Sequence, residues 1–337
     1  MATVDERRIA CVVGALTADA AAQPLHWVYN LQKLDDLTSE KDDIGFMEPS
    51  ANPFYRIETG MNSCYSDQLF TVLKSLNEWN GVRIPKMKED FYRDFGPESV
   101  YEASVDNSDY EPKVKKEKYP INGHWRNQSI REFIANYGQE TEKSDHQADA
   151  FVRPIPVVAM YAGTPDMLDR VKEVIALTQD NNIAISVGLA SARLLEQYII
   201  NGKKTEDAVE KVIAELRSSK RKNPNSQDET TAEKLDEVLS HKNKSHREAT
   251  AIFRNNCGLP GSFQSAVHAI VTTSDFATGV EMTIKSGGCN CSRSGLIGAC
   301  LAAQTGLEGI PERWQQKTKR FSQAVELATK MISLPLE

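Results

Sequence analysis

Apolar residues recur at spacings of three and four along most of the chain, which is the pattern of amphipathic helices. The first predicted helix ends before Pro24, and its apolar face consists of Ile9, Val12, Val13, Leu16 and Ala20. The same period predicts helices near residues 65–76, 171–175, 183–200, 208–216, 262–273 and 321–331. Asn201 and Gly202 form a typical stop for the helix over 183–200.

Alternation with period two, which marks a half-buried strand, is scarce. Residues 280–284 read Val-Glu-Met-Thr-Ile, a pattern that suits a short strand and the end of a helix equally well. The sequence therefore predicts an all-α protein.

Two stretches lack this periodicity and are rich in polar residues. Residues 80–150 carry acids clustered at 100–111 and lysines at 113–118, which predicts an excursion over the surface. Residues 218–248 contain three consecutive basic residues, and a solvated loop with a charged helix explains them better than a nucleic-acid patch. Because helical patterns flank both stretches, we expect one domain over residues 1–337.

Composition excludes several classes of protein. A hydrophobic content of 40% is too high for a disordered chain, and a net charge of −7 argues against a general nucleic-acid binder. The longest apolar runs are too short to cross a membrane, so no membrane partner is expected. Six cysteines without a secretory signal predict reduced thiols in the cytoplasm.

The densest polar signal is the segment from Ser286 to Ser294, which reads Ser-Gly-Gly-Cys-Asn-Cys-Ser-Arg-Ser before an apolar helix. Glycines permit unusual backbone conformations, and a helix N-terminus favours anions. The segment is a candidate ligand or metal site, although, taken alone, it is better explained as a glycine turn capped by Ser292 or Ser294. Cys289 and Cys291 lack both the four ligands of a structural zinc site and the usual redox spacing.

Two further polar signals lie near the start of the chain. Residues 62–68 open a helix and place Asp67 in its first turn, where a carboxylate suits the helix dipole. Taken alone, this segment is better explained as a simple capping cluster than as a site. Asp19 is an acid within an alanine-rich apolar stretch, close in sequence to His26, and such a position is unusual for a carboxylate.

Together these segments resemble the ADP-ribosylglycohydrolase family. The matching motifs are Gly14-Ala15-Leu16, Asp19-Ala20, Ser66-Asp67-Gln68, Gly287-Gly288-Cys289-Asn290-Cys291-Ser292 and Gly306-Leu307-Glu308-Gly309-Ile310-Pro311-Glu312-Arg313-Trp314. Weaker matches are Phe151-Val152-Arg153-Pro154-Ile155-Pro156 and Leu177-Thr178-Gln179. The resemblance runs from about residue 9 to 314. It implies a compact all-helical domain with a cleft for an ADP-ribosyl group and two magnesium ions.

Departures from the family's motifs bear on function. Cys289 and Cys291 stand where the resemblance implies aspartate ligands, Gln68 replaces an aspartate, and Gln179 replaces a histidine. Magnesium prefers oxygen ligands to soft sulfur. Without the metals, nothing obvious polarises a glycosidic bond or activates water. We therefore expect no cofactor, no metal site and no catalytic residue, only a remnant of the family pocket formed by Asp67, Gln68, Cys289, Asn290, Cys291 and Ser292.

The sequence keeps the motifs of the family but lacks most of its metal ligands. In this respect it is similar to one branch of the family, the J-type crystallins of jellyfish lenses. This resemblance implies a structural lens protein in lens-cell cytoplasm, with itself or other lens proteins as partners at high concentration. Two alternatives stay open: a hydrolase of ADP-ribosyl or related glycosidic bonds, and a protein that binds an ADP-ribose-type ligand without catalysis. The loss of the anionic oxygen ligands for magnesium favours a non-enzymatic protein over the hydrolase.

Overall fold

A computed structural model of the chain describes residues 2–102, 119–137, 139, 143–202 and 205–335. Its helices are α1 (Val4–Ala22), α2 (Leu31–Thr38), α3 (Cys64–Trp79), α4 (Ile84–Phe95), α5 (Gln128–Ala135), α6 (Asp149–Val152), α7 (Ile155–Tyr161), α8 (Met167–Ala176), α9 (Asn182–Asn201), α10 (Thr205–Arg217), α11 (Asp228–Ser240), α12 (His246–Phe253), α13 (Gly261–Thr272), α14 (Phe276–Lys285), α15 (Asn290–Thr305), α16 (Glu312–Lys317) and α17 (Phe321–Ile332). Two short strands, β1 (Tyr55–Arg56) and β2 (Ile121–Asn122), pair in parallel with Tyr55 opposite Ile121.

The all-α prediction is confirmed, because the strands contain only two residues each within the described part of the chain. The ambiguous residues 280–284 lie inside α14 and are helical. Helix α9 ends as predicted, since Gly202 adopts a left-handed conformation with φ 58° and its N–H donates to the Tyr198 carbonyl.

Helices α1 and α15 form the centre of the domain. Every residue of α1 from Ala10 to Ala22 is buried, as is every residue of α15 from Asn290 to Ala303. The two helices approach so closely at Gly14 and Gly298 that a Cβ atom on Gly298 would lie 2.4 Å from the Gly14 carbonyl oxygen. The crossing therefore depends on the absence of side chains at both positions.

Among the described residues, one helix, α9, has the length and apolar composition to cross a membrane, which the short apolar runs of the sequence did not indicate. The fold buries 78% of its apolar window inside the domain. Helix α9 is therefore a core helix, packed against α1, α8 and α15.

The stretch over residues 80–150 contains more structure than a surface excursion. Helix α4 places Phe91 and Phe95 in the core, and Ile130 of α5 is fully buried. Their apolar residues form one narrow face among many charged and polar residues, so the sequence pattern understated these two helices. The charged residues 103–118 lie outside the described residues. The second stretch, residues 218–248, contains the charged helix α11.

The helix crossing gives a first prediction. Gly298→Ala should lower the free energy of unfolding by about 1–3 kcal/mol, because the added methyl group meets a backbone oxygen that cannot move aside. Urea unfolding measures the loss. Gly295→Ala on the same helix is the matched control: its methyl group would come no closer than 3.2 Å to its nearest neighbour, a methyl group of Val152, and should cost less. Equal stability of Gly298→Ala and wild type would contradict the close crossing.

Candidate functional site

The glycine turn before α15 is held by backbone contacts from two distant segments. Gly287 and Gly288 have φ angles of 68° and 67°, which only glycine adopts without strain. The Trp27 N–H donates to the Gly288 carbonyl over 2.8 Å. The Cys289 N–H donates to the Asn255 carbonyl over 2.7 Å. The turn is therefore fixed against the end of α1 and the loop after α12.

Arg293 anchors this turn from inside the protein. Its guanidinium is fully buried and donates to the Gly287 carbonyl over 2.5 Å and the Asn255 carbonyl over 3.0 Å. It also donates to the side chain and the carbonyl of Thr283. Burial lowers the pKa of Arg293 to about 10, so the group stays cationic at neutral pH. A fixed positive charge therefore lies beneath the two-glycine turn.

Cys289 lies among polar groups in the buried space above Arg293. Its sulfur is 3.3 Å from the Tyr65 hydroxyl, 3.2 Å from Ser292 Oγ and 3.5 Å from His26 Nε2. Burial alone would raise the pKa of this thiol, but hydrogen bonds from Cys257 and His26 hold it well below its ordinary value. The arrangement therefore favours a thiolate at Cys289.

The other residues of the late motif serve the packing of α15. The Asn290 amide donates to the Leu25 carbonyl over 3.1 Å, and Ser292 Oγ donates to the Cys289 carbonyl over 3.1 Å. The Cys291 thiol faces the Asp19 carbonyl at 3.7 Å, and burial raises its pKa well above the ordinary value. Cys291 is therefore a neutral thiol in the core.

Asp19 belongs to α1, and its carboxylate faces the residues that precede α3. Its carboxylate oxygens accept from the Ser63 N–H over 2.8 Å, the Ser63 hydroxyl over 2.5 Å and the Asn62 amide over 3.1 Å. Burial raises the pKa of Asp19 to about 7 in spite of these hydrogen bonds. Half of the Asp19 carboxyl groups would thus be protonated near neutral pH.

Asp67 is neutralised by a cation from the end of the chain. Arg320 contacts one carboxylate oxygen at 2.5 Å, while Tyr101 at 2.5 Å and His124 at 3.4 Å contact the other. Burial would raise the pKa of Asp67, but Arg320 and these hydrogen bonds lower it to about 2. Asp67 is therefore an anion whose charge is already balanced.

Gln68 faces a different set of partners from its neighbour Asp67. Its amide donates to Asp149 Oδ1 over 2.5 Å and its carbonyl oxygen accepts from Arg153 over 2.9 Å. Arg153 is fully buried and also donates to Thr178 Oγ1 over 2.5 Å. Gln68 therefore links a buried anion to a buried cation, a role that a second aspartate could not fill.

The six residues of the predicted remnant pocket thus have different neighbours in the structure and do not all contact one another. Cys289 and Ser292 contact each other, whereas Asp67 and Gln68 each contact residues outside the motifs. Sequence reasoning missed the partners Arg320, Asp149 and Cys257. Only Arg153, a charge within an apolar run, gave a signal that could have indicated a buried network.

Magnesium does not fit these positions. Within the described ranges, no three carboxylate, imidazole or thiol groups lie close enough together to hold a metal ion. Asp67 is already paired with Arg320. Gln68 is neutral, and its amide group is hydrogen-bonded to Asp149 and Arg153. The late motif offers thiol sulfur instead of carboxylate oxygen. Hard cations need several anionic oxygens in octahedral geometry.

An aromatic pocket of about 310 Å³ opens beside the glycine turn that precedes α15. Its walls include Trp27, Phe54 and Trp125, whose rings meet edge to face at centroid distances of 5.4–5.8 Å. Arg131 and the half-buried Cys257 also line it. The pocket could receive a flat apolar or aromatic group.

The raised pKa of Asp19 gives a second prediction. Between about pH 4 and pH 7 the folded chain holds a proton on Asp19 that the unfolded chain has released, so the contribution of Asp19 to wild-type stability falls as pH rises through this window. Asp19→Asn mimics the protonated form. Its free energy of unfolding relative to wild type should therefore rise by up to about 1.4 kcal/mol per pH unit.

Urea unfolding across this pH window measures the difference. Asp36→Asn, which removes an exposed carboxylate, controls for the general loss of one negative charge. A difference between Asp19→Asn and wild type that does not change with pH would show that Asp19 ionises normally in the folded chain.

Three comparisons identify relatives. Crystallin J1A of Tripedalia cystophora is 32% identical over 329 residues, covering 97% of this chain and 96% of the relative. Crystallin J1B of the same animal is 31% identical over 336 residues, covering 98% of both chains. A solved structure titled ADP-ribosylglycohydrolase-related protein complex superposes with a TM-score of 0.72 at 16% identity over the whole of both chains, which shows the fold. The family model described as ADP-ribosylglycohydrolase matches residues 1–335, so the chain belongs to the ADP-ribosylglycohydrolase family.

Proposed function

We propose that this chain is a structural protein of the eye lens, held at high concentration in the cytoplasm of lens cells. The observation that carries the proposal is the similarity to two lens crystallins over nearly the full length of each chain. Its partners would be other copies of the chain and other lens proteins, without nucleic acid or membrane.

The electrostatics of the interior support a non-enzymatic role. The positions that the family resemblance assigns to magnesium hold a paired aspartate, an amide and two thiols. No step of glycosidic hydrolysis has an obvious acid or water-activating group among them. The hydrolase alternative would need a different set of groups.

The surface also suits a crowded solution. A net charge of −7 gives mutual repulsion between copies. Only five large hydrophobic side chains are exposed among the described residues. They are scattered along the sequence: Tyr29, Val100, Tyr137, Ile183 and Ile252. Five of the six cysteines are buried, which limits cross-linking between molecules.

A second candidate function, ligand binding without catalysis, is favoured by one observation. The aromatic pocket beside Cys257 offers ring faces and the Arg131 guanidinium, which together suit a flat ring that carries a negative group. Calorimetric titration with ADP-ribose tests this alternative. A saturable isotherm that is lost in Trp125→Ala would favour it over a purely structural role.

The lens proposal predicts the distribution of the protein. In eyes of the animal that makes this chain, quantitative mass spectrometry of dissected tissue should find it among the most abundant soluble proteins of the lens. Retina and body tissue serve as controls. A trace protein, spread evenly over tissues and scarce in the lens, would contradict the proposal.

The absence of a magnesium centre is tested by titration. Calorimetry should detect no tight magnesium binding to the wild-type chain, because soft sulfur and a neutral amide cannot replace anionic oxygens. Arg320→Gln removes the cation that is paired with the Asp67 carboxylate and is the matched control. It should also bind no magnesium tightly, since one carboxylate cannot strip water from the ion. A two-site isotherm at micromolar magnesium, in either protein, would revive the hydrolase alternative.

A further inference from the structure

Two buried imidazole rings meet where α12 packs against α13. His246 is the first residue of α12, and His268 lies in the second half of α13. Both side chains are buried, and their Nδ1 atoms are 3.2 Å apart. At this distance the two nitrogens form a hydrogen bond only if one of them carries a hydrogen and the other does not.

The second nitrogen of each ring determines which ring donates. His268 Nε2 lies 3.2 Å from the backbone carbonyl oxygen of His241, at the end of α11. Because a carbonyl only accepts, Nε2 carries the hydrogen of the neutral His268 ring, and His268 Nδ1 accepts from His246 Nδ1–H. His246 Nε2 then accepts from the Thr250 hydroxyl over 3.4 Å. These contacts assign one tautomer to each neutral ring.

This arrangement has no favourable place for an additional proton. A proton on His268 Nδ1 would set two N–H donors against each other across 3.2 Å. A proton on His246 Nε2 would create a cation in the first turn of α12, where the helix dipole disfavours positive charge. The contact between the rings therefore requires both of them to be neutral.

The electrostatic surroundings act in the same direction. Burial lowers the pKa of His246 well below its ordinary value, and the cationic Arg293 of α15 lowers it further. Burial also lowers the pKa of His268, although its hydrogen bond to the His241 carbonyl partly offsets this effect. The nearby charged side chains of α11, α12 and α14 interact with other groups: Glu237 with Lys234 and Gln264, Arg247 with Asp35, Glu248 with Ser245, and Glu281 with Lys285.

We propose that the contact between His246 and His268 is an acid-sensitive switch that releases α12 from α13. Above about pH 6.5, where a free imidazole is mostly neutral, the hydrogen bond between the rings holds the two helices together. Below this pH the released rings take up protons that the packed rings exclude. Since the released form binds more protons, acid shifts the equilibrium toward it.

Release of α12 would reach the candidate site through the loop after α12. Arg254 ends the helix with a φ angle of 76°, and the next residue, Asn255, accepts from the Cys289 N–H and from Arg293. Cys257 of the same loop lines the aromatic pocket. Acid would therefore loosen both the hold on the glycine turn and one wall of the pocket. This inference does not depend on a lens role.

The tautomers are tested in the full-length wild-type protein. Long-range ¹H–¹⁵N correlation spectra of ¹⁵N-histidine-labelled protein show which ring nitrogen carries the hydrogen, and signals lost in His246→Gln or His268→Asn assign the two rings. At neutral pH we expect His246 to be protonated at Nδ1 and His268 at Nε2. The opposite tautomers, or rings that take up protons at about pH 6.5 while α12 stays packed, would overturn the proposal.

The release of α12 is tested by hydrogen–deuterium exchange of the full-length chain between about pH 6 and pH 5. Rates are divided by those of the unfolded peptides at each pH, and α1 in the same sample reports unfolding of the whole domain. We expect the opening constant of α12 to rise by up to about tenfold per pH unit for each ring, and to exceed that of α1.

Two variants separate this switch from other titrations. His268→Asn keeps an acceptor oxygen but removes one titrating ring, so its pH dependence should fall to about half of the wild-type slope on a logarithmic scale. His146→Gln, which removes an exposed ring, should keep the wild-type slope. Asp19 titrates in a similar range but is present in every protein, so its contribution cancels.

Two exchange results would contradict the switch. One is a wild-type α12 that opens only together with α1, or whose opening constant does not change with pH. The other is a His268→Asn variant with the full wild-type slope. The first result needs only the wild-type protein, so the proposal stays testable if the variant does not fold.

Discussion

The crossing of α1 and α15 at Gly14 and Gly298 is the constraint on which the rest of the molecule depends. Backbone contact at that point leaves no room for a side chain on either helix. Asp19 lies about one and a half turns after Gly14 on α1. At this position its backbone carbonyl faces Cys291 in the first turn of α15. The closeness of two core helices thus sets the spacing of the family's early and late motifs.

The second determinant is the balance of charge inside the core. Arg153, Arg293 and Asp67 are all buried, and an unpaired buried charge is costly. Each is satisfied by groups of this chain: Arg153 through Gln68 and carbonyls, Arg293 through the glycine turn, and Asp67 through Arg320. In a metal-dependent relative, anionic side chains would face bound metal cations. In this chain, the anionic Asp67 faces the guanidinium of Arg320 instead.

The sequence predicted the helices well because their apolar faces have a strict period. It also indicated Cys289 and Gln68 as positions of changed chemistry, through their place in motifs. It could not indicate their partners, because Arg320 is 253 residues from Asp67 and no local pattern links them. Cys257 likewise lies in a loop with no period of its own, and its place in the lining of the aromatic pocket depends on the tertiary fold. Helix α4 was missed because only one narrow face is apolar.

The central claim is that the chain keeps the family fold and has exchanged the magnesium chemistry for an internally neutralised core. Release of ADP-ribose from an ADP-ribosylated peptide, followed at high protein concentration with and without magnesium, tests it most directly. The account predicts release no faster than in a buffer blank under both conditions. Magnesium-dependent turnover that exceeds the blank and is lost on adding a chelator would contradict it.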